Sequence, residues 1–180
     1  MTQKKNILTI CGSTRKESAN LQLLKMISDI TSDIYKISIF DGIAELPHFN
    51  PDLDNENPPK KIAEFRDKIS NSDGVIICTP EYVFSIPGSL KNAIEWCVST
   101  TLFSNKPIGI ITASASGDKG HEELQLIMKT LECRFDENTA ILIKAVKGKI
   151  HKDRGIIDNE TLEKIQTFLK SFDQQLKSDT

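Results

Sequence analysis

Nowhere in the 180 residues does an apolar run approach the ~20 positions that a membrane-spanning helix needs. No sign of charge dominates either. The 23 basic and 25 acidic side chains leave a formal net charge of -2, which argues against a nucleic-acid binder and against attraction to a polyanion or an anionic membrane. A small-molecule partner is expected. "MTQKKN" is too short to be the charged lead of a secretory signal, so the cytoplasm is the expected compartment. Cys11, Cys78, Cys97 and Cys133 lack the close pairing of zinc or dithiol chemistry and lie among apolar neighbours, as buried free thiols would. His48, His121 and His151 lie far apart with no i, i+4 pair, so no metal site is predicted and each reads as a polar surface residue. Without repeats or low-complexity segments, residues 1–180 are expected to form a single domain that buries roughly two-thirds of its unfolded surface.

What is present is alternation. Short Ile- and Val-rich runs at 7–11, 34–40, 74–79, 107–113 and 139–146 are separated by segments of helical period at 18–30, 58–71, 87–100 and 118–133, with a last helix over 159–175. Repeated β-α units of this kind predict an α/β fold, a five-stranded parallel sheet doubly wound by right-handed crossovers. In the last helix Leu162, Ile165, Phe168, Leu169, Phe172 and Leu176 form an apolar stripe for the sheet. The connection over 41–59 holds four prolines, and its Asp52, Asp54 and Glu56 read as solvated rather than as a cation site. In the third helix Leu90, Ala93, Ile94 and Cys97 face the core, while Ser89, Asn92 and Trp96 lie on another face. Trp96 is either an interface anchor or a ring lying beneath a loop.

Directly after the first strand comes "GSTRKESAN", Gly12 to Asn20, leading into a helix. A helix N-terminus with side-chain donors suits an anion. The loop lacks the second Gly and the Lys-Ser/Thr of a P-loop, and Thr14 stands where a dinucleotide fingerprint needs Gly, although Asp41 could imitate the ribose-binding acid. The hydroxyls of Ser13 and Ser18, the Arg15 cation and the Asn20 amide suit a phosphomonoester. The alternative is that Ser18 only caps the helix while Arg15 and Lys16 are solvated. A second segment, "TPEYVFSIPGSLKNAIEW", Thr79 to Trp96, follows the third strand. Pro80 stops the ladder, Pro87 suits a first helical turn, and Tyr82 and Phe84 offer an aromatic shelf for a flat ring. The alternatives are that Tyr82 and Phe84 pack under the long loop and that Glu81 pairs with a cation. A phosphate holder beside an aromatic shelf implies a mononucleotide.

With these two segments, "LPHFNPDLDNENPP" and "ASASGDKG", the chain over about residues 7–146 resembles the NADPH-dependent FMN reductases of flavodoxin-like fold, a family that includes azoreductases, quinone reductases and chromate reductases. The resemblance implies bound FMN and NADPH or NADH as hydride donor, with the flavin carrying the chemistry and no catalytic side chain required. It places Ser13, Arg15, Ser18 and Asn20 on the FMN phosphate and Pro80, Glu81, Tyr82 and Phe84 along the isoalloxazine, with Ser114 and Gly117 on its other side. Val83 stands where the family usually has Asn, so its contact is expected through the backbone N–H. His121 stands where a small residue is common. The acceptor would be a quinone, free flavin, azo compound or metal oxyanion, and the assembly a homodimer or homotetramer built on the Trp96 face. The rival is a flavodoxin-type electron carrier, against which the mild net charge argues.

Overall fold

The computed structural model of the protein describes residues 4–151 and 155–178; the readings made of residues 1–3 and of the His151 side chain lie outside the described residues. Five strands, Lys5–Cys11 (β1), Tyr35–Phe40 (β2), Gly74–Thr79 (β3), Ile108–Ala113 (β4) and Ala140–Ile143 (β5), form a parallel sheet in the order β2-β1-β3-β4-β5. The helices are Ala19–Ile30 (α1), Lys60–Ser70 (α2), Gly88–Glu95 (α3), Asp118–Thr130 (α4) and Asn159–Lys177 (α5). This is the doubly wound α/β fold expected from the alternation, with the flavodoxin-like strand order that the resemblance implies.

The strands read as continuous apolar runs because helices cover both faces. Leu8, Ile10, Val75, Ile77, Ile108 and Ile110 pack against α2, α3 and α4. Ile7, Cys11, Ile76, Cys78, Ile111 and Ala113 point the other way, toward α1 and α5. Each fully buried Ile or Leu contributes about 1.5–3 kcal/mol of transfer free energy, which backbone ordering largely offsets. α5 starts at Asp158, whose carboxylate accepts from Thr161 N at 2.9 Å, and the rings of Phe168 and Phe172 lie nearly parallel 6.1 Å apart. No described helix is long and apolar enough to cross a membrane.

Strand β5 ends three residues before the expected limit. Its continuation turns away because Ala145 N donates to Ala115 O and Val146 N to Ser114 O, after which Ile150–His151 (β6) and Gly155–Ile156 (β7) pair as an antiparallel hairpin that periodicity did not reveal.

Three side chains correct the sequence reading. Trp96 is fully buried, so it is not an exposed interface anchor. Its Nε1 donates to Pro47 O at 2.8 Å, Phe49 meets it edge-on, and Asn92 takes Phe49 N at 2.7 Å and reaches Pro47 O at 3.0 Å. The second face of α3 is therefore covered by the 41–59 connection of the same chain. Asp54 is not solvated: its side chain is 6% exposed and pairs at 2.5 Å with Arg66, which also donates to Trp96 O. Burial raises the Asp54 pKa, but hydrogen bonds from Arg66 and Ser99 and the Arg66 charge outweigh it and hold the carboxyl below its ordinary 3.8. His121 is half-buried, 2.9 Å from Thr112 Oγ1 and bonded to the Ala140 backbone, and burial pushes its pKa down. Cys11, Cys78 and Cys97 are buried free thiols as expected, while Cys133 is only half-buried.

Candidate functional site

The strand order reverses between β1 and β3, and ligands of open parallel sheets bind outside the carboxyl ends at such a point. Here the loops after β1, β3, β4 and β5 enclose a cleft of about 690 Å³.

The first wall is built close to the sheet. Gly12 N continues the ladder by donating to Cys78 O at 2.8 Å, and a Cβ at Gly12 would lie 2.3 Å from Thr79 Oγ1, so no side chain fits there. Ser13 and Ser18 are buried at the start of α1. Ser18 is the cap of that helix: its Oγ accepts from Leu21 N at 3.1 Å. The capping alternative is therefore part of the answer. It is compatible with ligand binding, because the proton of this hydroxyl faces only the weak acceptor Cys11 Sγ at 3.9 Å and can turn to a stronger one. Ser13 Oγ accepts from Arg15 N at 3.4 Å. The N–H groups of Ala19 and Asn20, first in α1, find no partner among the described residues. The exposed Arg15 guanidinium likewise forms no hydrogen bond or ion pair among them.

Asn20 is engaged within the protein as well as lining the cleft. Its Nδ2 donates to Ala113 O at 3.2 Å and its Oδ1 accepts from Cys78 Sγ at 3.2 Å. The buried amide thus ties α1 to the ends of β3 and β4, with its second Nδ2 proton and its backbone N–H remaining as donors. Burial raises the Cys78 thiol well above its ordinary value and raises Cys11 too, so both act as neutral thiols.

The second wall is the segment after β3. Pro80, Glu81 and Tyr82 line the cleft, whereas Val83 and Phe84 stand outside its lining at the tip of the turn, 94% and 77% exposed. Tyr82 and Phe84 thus do not pack under the long loop. Glu81 turns its carboxylate to the start of α4, accepting from Gly117 N at 3.3 Å and Gly120 N at 2.8 Å. It supplies the cap that Gly117, with φ of +97°, cannot. No cation pairs with it among the described residues. Ser114 faces the cleft and accepts from Glu81 N at 3.3 Å, while Gly117 lies behind the lining.

The third wall, Ala145, Val146, Lys147, Gly148 and Ile150, was missed because "KAVKGKI" reads as the end of a strand. Its only local signal is the Lys-Gly-Lys turn composition. Lys144 pairs with Asp118 at 2.6 Å and Lys149 with Asp158 at 3.4 Å, while Lys147 has no ion pair among the described residues.

The arrangement brings N–H and O–H donors, a cation with no ion pair among the described residues, and the tyrosine of the turn after β3 to one cleft. A phosphate attached to a flat ring matches it.

A family model described as NADPH-dependent FMN reductase matches residues 5–147. A quinone reductase of Pseudomonas putida is 30% identical over 98% of this chain and 97% of its own. A quinone reductase of Escherichia coli is 28% identical over 96% and 95%. Among solved structures, a flavoenzyme NAD(P)H:(acceptor) oxidoreductase from Paracoccus denitrificans superposes with a TM-score of 0.82 at 26% identity, covering 97% of this chain and 98% of that one.

Proposed function

Because the chain belongs to the NADPH-dependent FMN reductase family, we propose that it passes a hydride from NADPH or NADH, by way of FMN held in the cleft, to a small acceptor. Quinones lead the candidates, since similar full-length proteins are quinone reductases. Free flavins, azo compounds and metal oxyanions follow. The observation that carries the reading is the set of N–H donors at the start of α1, beside Arg15, that have no partner among the described residues, in a cleft large enough for a mononucleotide.

The residues present fit FMN. Ser13, Ser18, the N–H groups of Ala19 and Asn20, and Arg15 would hold its phosphate, the helix end adding its positive dipole. Pro80, Glu81 and Tyr82, with Ser114 opposite and Gly117 behind, would flank the ring, and the backbone N–H of Val83 stays available at the turn. Phe84 would extend the aromatic edge. When bound, FMN supplies the redox chemistry, accepting hydride and returning two electrons. The protein's part is to grip the phosphate, orient the ring and keep water from the covered face. No acid-base side chain is required.

We read residues 1–180 as one domain working in the cytoplasm, and the assembly as a homodimer or homotetramer. With Trp96 buried, support for an interface moves to the exposed Tyr82, Val83 and Phe84. A wild-type monomer in sedimentation at micromolar concentration would end that part of the reading.

The deciding experiment is an absorption spectrum of the purified protein before and after anaerobic NADPH. A flavin band that bleaches at a rate no slower than turnover is expected. A colourless protein that binds no added FMN, or a yellow one bleached by neither NADPH nor NADH, would reject the proposal.

A further inference from the structure

The turn from Tyr82 to Ser85 is held by more than its own residues. Tyr82 and Ser85 exchange two backbone hydrogen bonds, Tyr82 N to Ser85 O at 2.9 Å and Ser85 N to Tyr82 O at 3.0 Å. That closes a two-residue turn with Val83 at φ +53° and Phe84 at φ +59°. Both φ values lie in the left-handed region, where Asn and Gly are at ease and a β-branched Val is not. Burial does not compensate, since these are the two most exposed large apolar side chains among the described residues. An unfavourable local conformation persists only where its surroundings impose it.

Two carboxylates impose it here, one on each stem, and both join the turn to α4. Before the turn, Glu81 accepts from Gly117 N and Gly120 N. After it, Glu123 reaches out of α4 and its Oε2 accepts from Ser85 Oγ at 2.5 Å and Ile86 N at 3.1 Å. The approach is tight: a Cβ at Gly120 would lie 3.2 Å from Glu81 and from Ser85 O. Glu123 falls in none of the sequence motifs and does not line the cleft.

We infer that Glu123 is a positioning residue: by fastening the Ser85 stem to α4 it holds Tyr82 in the orientation that receives the flavin ring. The inference rests on the reading of the cleft as an FMN site. Both of its hydrogen bonds end on one oxygen, so a glutamine, with one carbonyl oxygen, can reproduce them, and an alanine cannot.

The test titrates apoprotein with FMN and with riboflavin, following flavin fluorescence, for the wild type, Glu123→Gln, Glu123→Ala and Ser85→Ala. Glu123→Ala should weaken both flavins in parallel by about tenfold, because the ring end is disturbed and the phosphate end is not. Glu123→Gln should stay within about threefold of the wild type, and Ser85→Ala, which keeps the bond to Ile86 N, should fall between. Melting of the apoproteins is measured alongside. Unchanged flavin affinity in Glu123→Ala, a loss confined to FMN, or a Gln variant as weak as Ala would each overturn the inference. If the Ala variant does not fold, the Gln and Ser85 variants still decide. Wild-type protein that binds neither flavin would instead reject the cleft assignment itself.

Discussion

Replacing Arg15 by alanine separates the two ends of the ligand. The guanidinium is exposed, has no ion pair among the described residues and shares the cleft lining with the buried Ser13 and Ser18, so its removal takes away a cation without taking away packing. A hydrogen bond to a charged group contributes roughly 1.5–3 kcal/mol, and water competing at an exposed site pulls the figure to the lower limit. The expected loss of FMN affinity is therefore about tenfold near 0.1 M salt. Riboflavin, which lacks the phosphate, should change by less than about twofold. Raising the salt to about 0.5 M shortens the screening length to about 4 Å and should shrink the FMN difference to about threefold. Ser18→Ala is a poorer probe, since it also removes the cap of α1 and with it about 1 kcal/mol of stability. The assay is fluorescence titration of apoprotein with each flavin at two salt concentrations. Equal losses for FMN and riboflavin, or a loss indifferent to salt, would refute the assignment of the α1 end to the phosphate.

Trp96→Phe should lower stability to urea by about 1–2 kcal/mol, losing ring area and the bond to Pro47 O, while leaving the sedimentation profile unchanged. Asp54→Asn should destabilise the protein at pH 7 by stranding Arg66, as urea midpoints will show. Because the folded-state pKa of Asp54 is depressed, its contribution is complete above the unfolded value of 3.8 and is lost as pH falls through the folded value, so the difference between the two proteins should close below pH 3.8. If FMN in the cleft presents one ring face, that face would admit one flat ligand at a time, so initial rates against nicotinamide at several acceptor concentrations should give parallel double-reciprocal lines; intersecting lines would mean that both substrates bind together.

The sequence alone determined the class of fold and which strand ends the cleft-lining loops follow. Alternating apolar runs and helical periods require strands buried on both faces, and the loops after β1 and β3 then fall at the carboxyl ends of neighbouring strands whatever the details of packing. The donors at the start of α1 were equally legible, because a helix N-terminus exposes its N–H groups by geometry. Long-range partners were not legible. Trp96 and Asn92 share a face that periodicity marks as non-core, and only the fold of the 41–59 connection shows that Pro47 and Phe49 cover it. Asn20 and Glu81 have the right chemistry for a ligand, and only the fold shows that Ala113, Cys78, Gly117 and Gly120, remote in the chain, also bond their side chains. Glu123 and the 145–150 wall leave no motif, because their roles arise from where β5 stops and where α4 passes the turn. Local pattern sets which backbone groups must be exposed or buried, whereas the pairing of side chains far apart in sequence exists only once the sheet has brought them together.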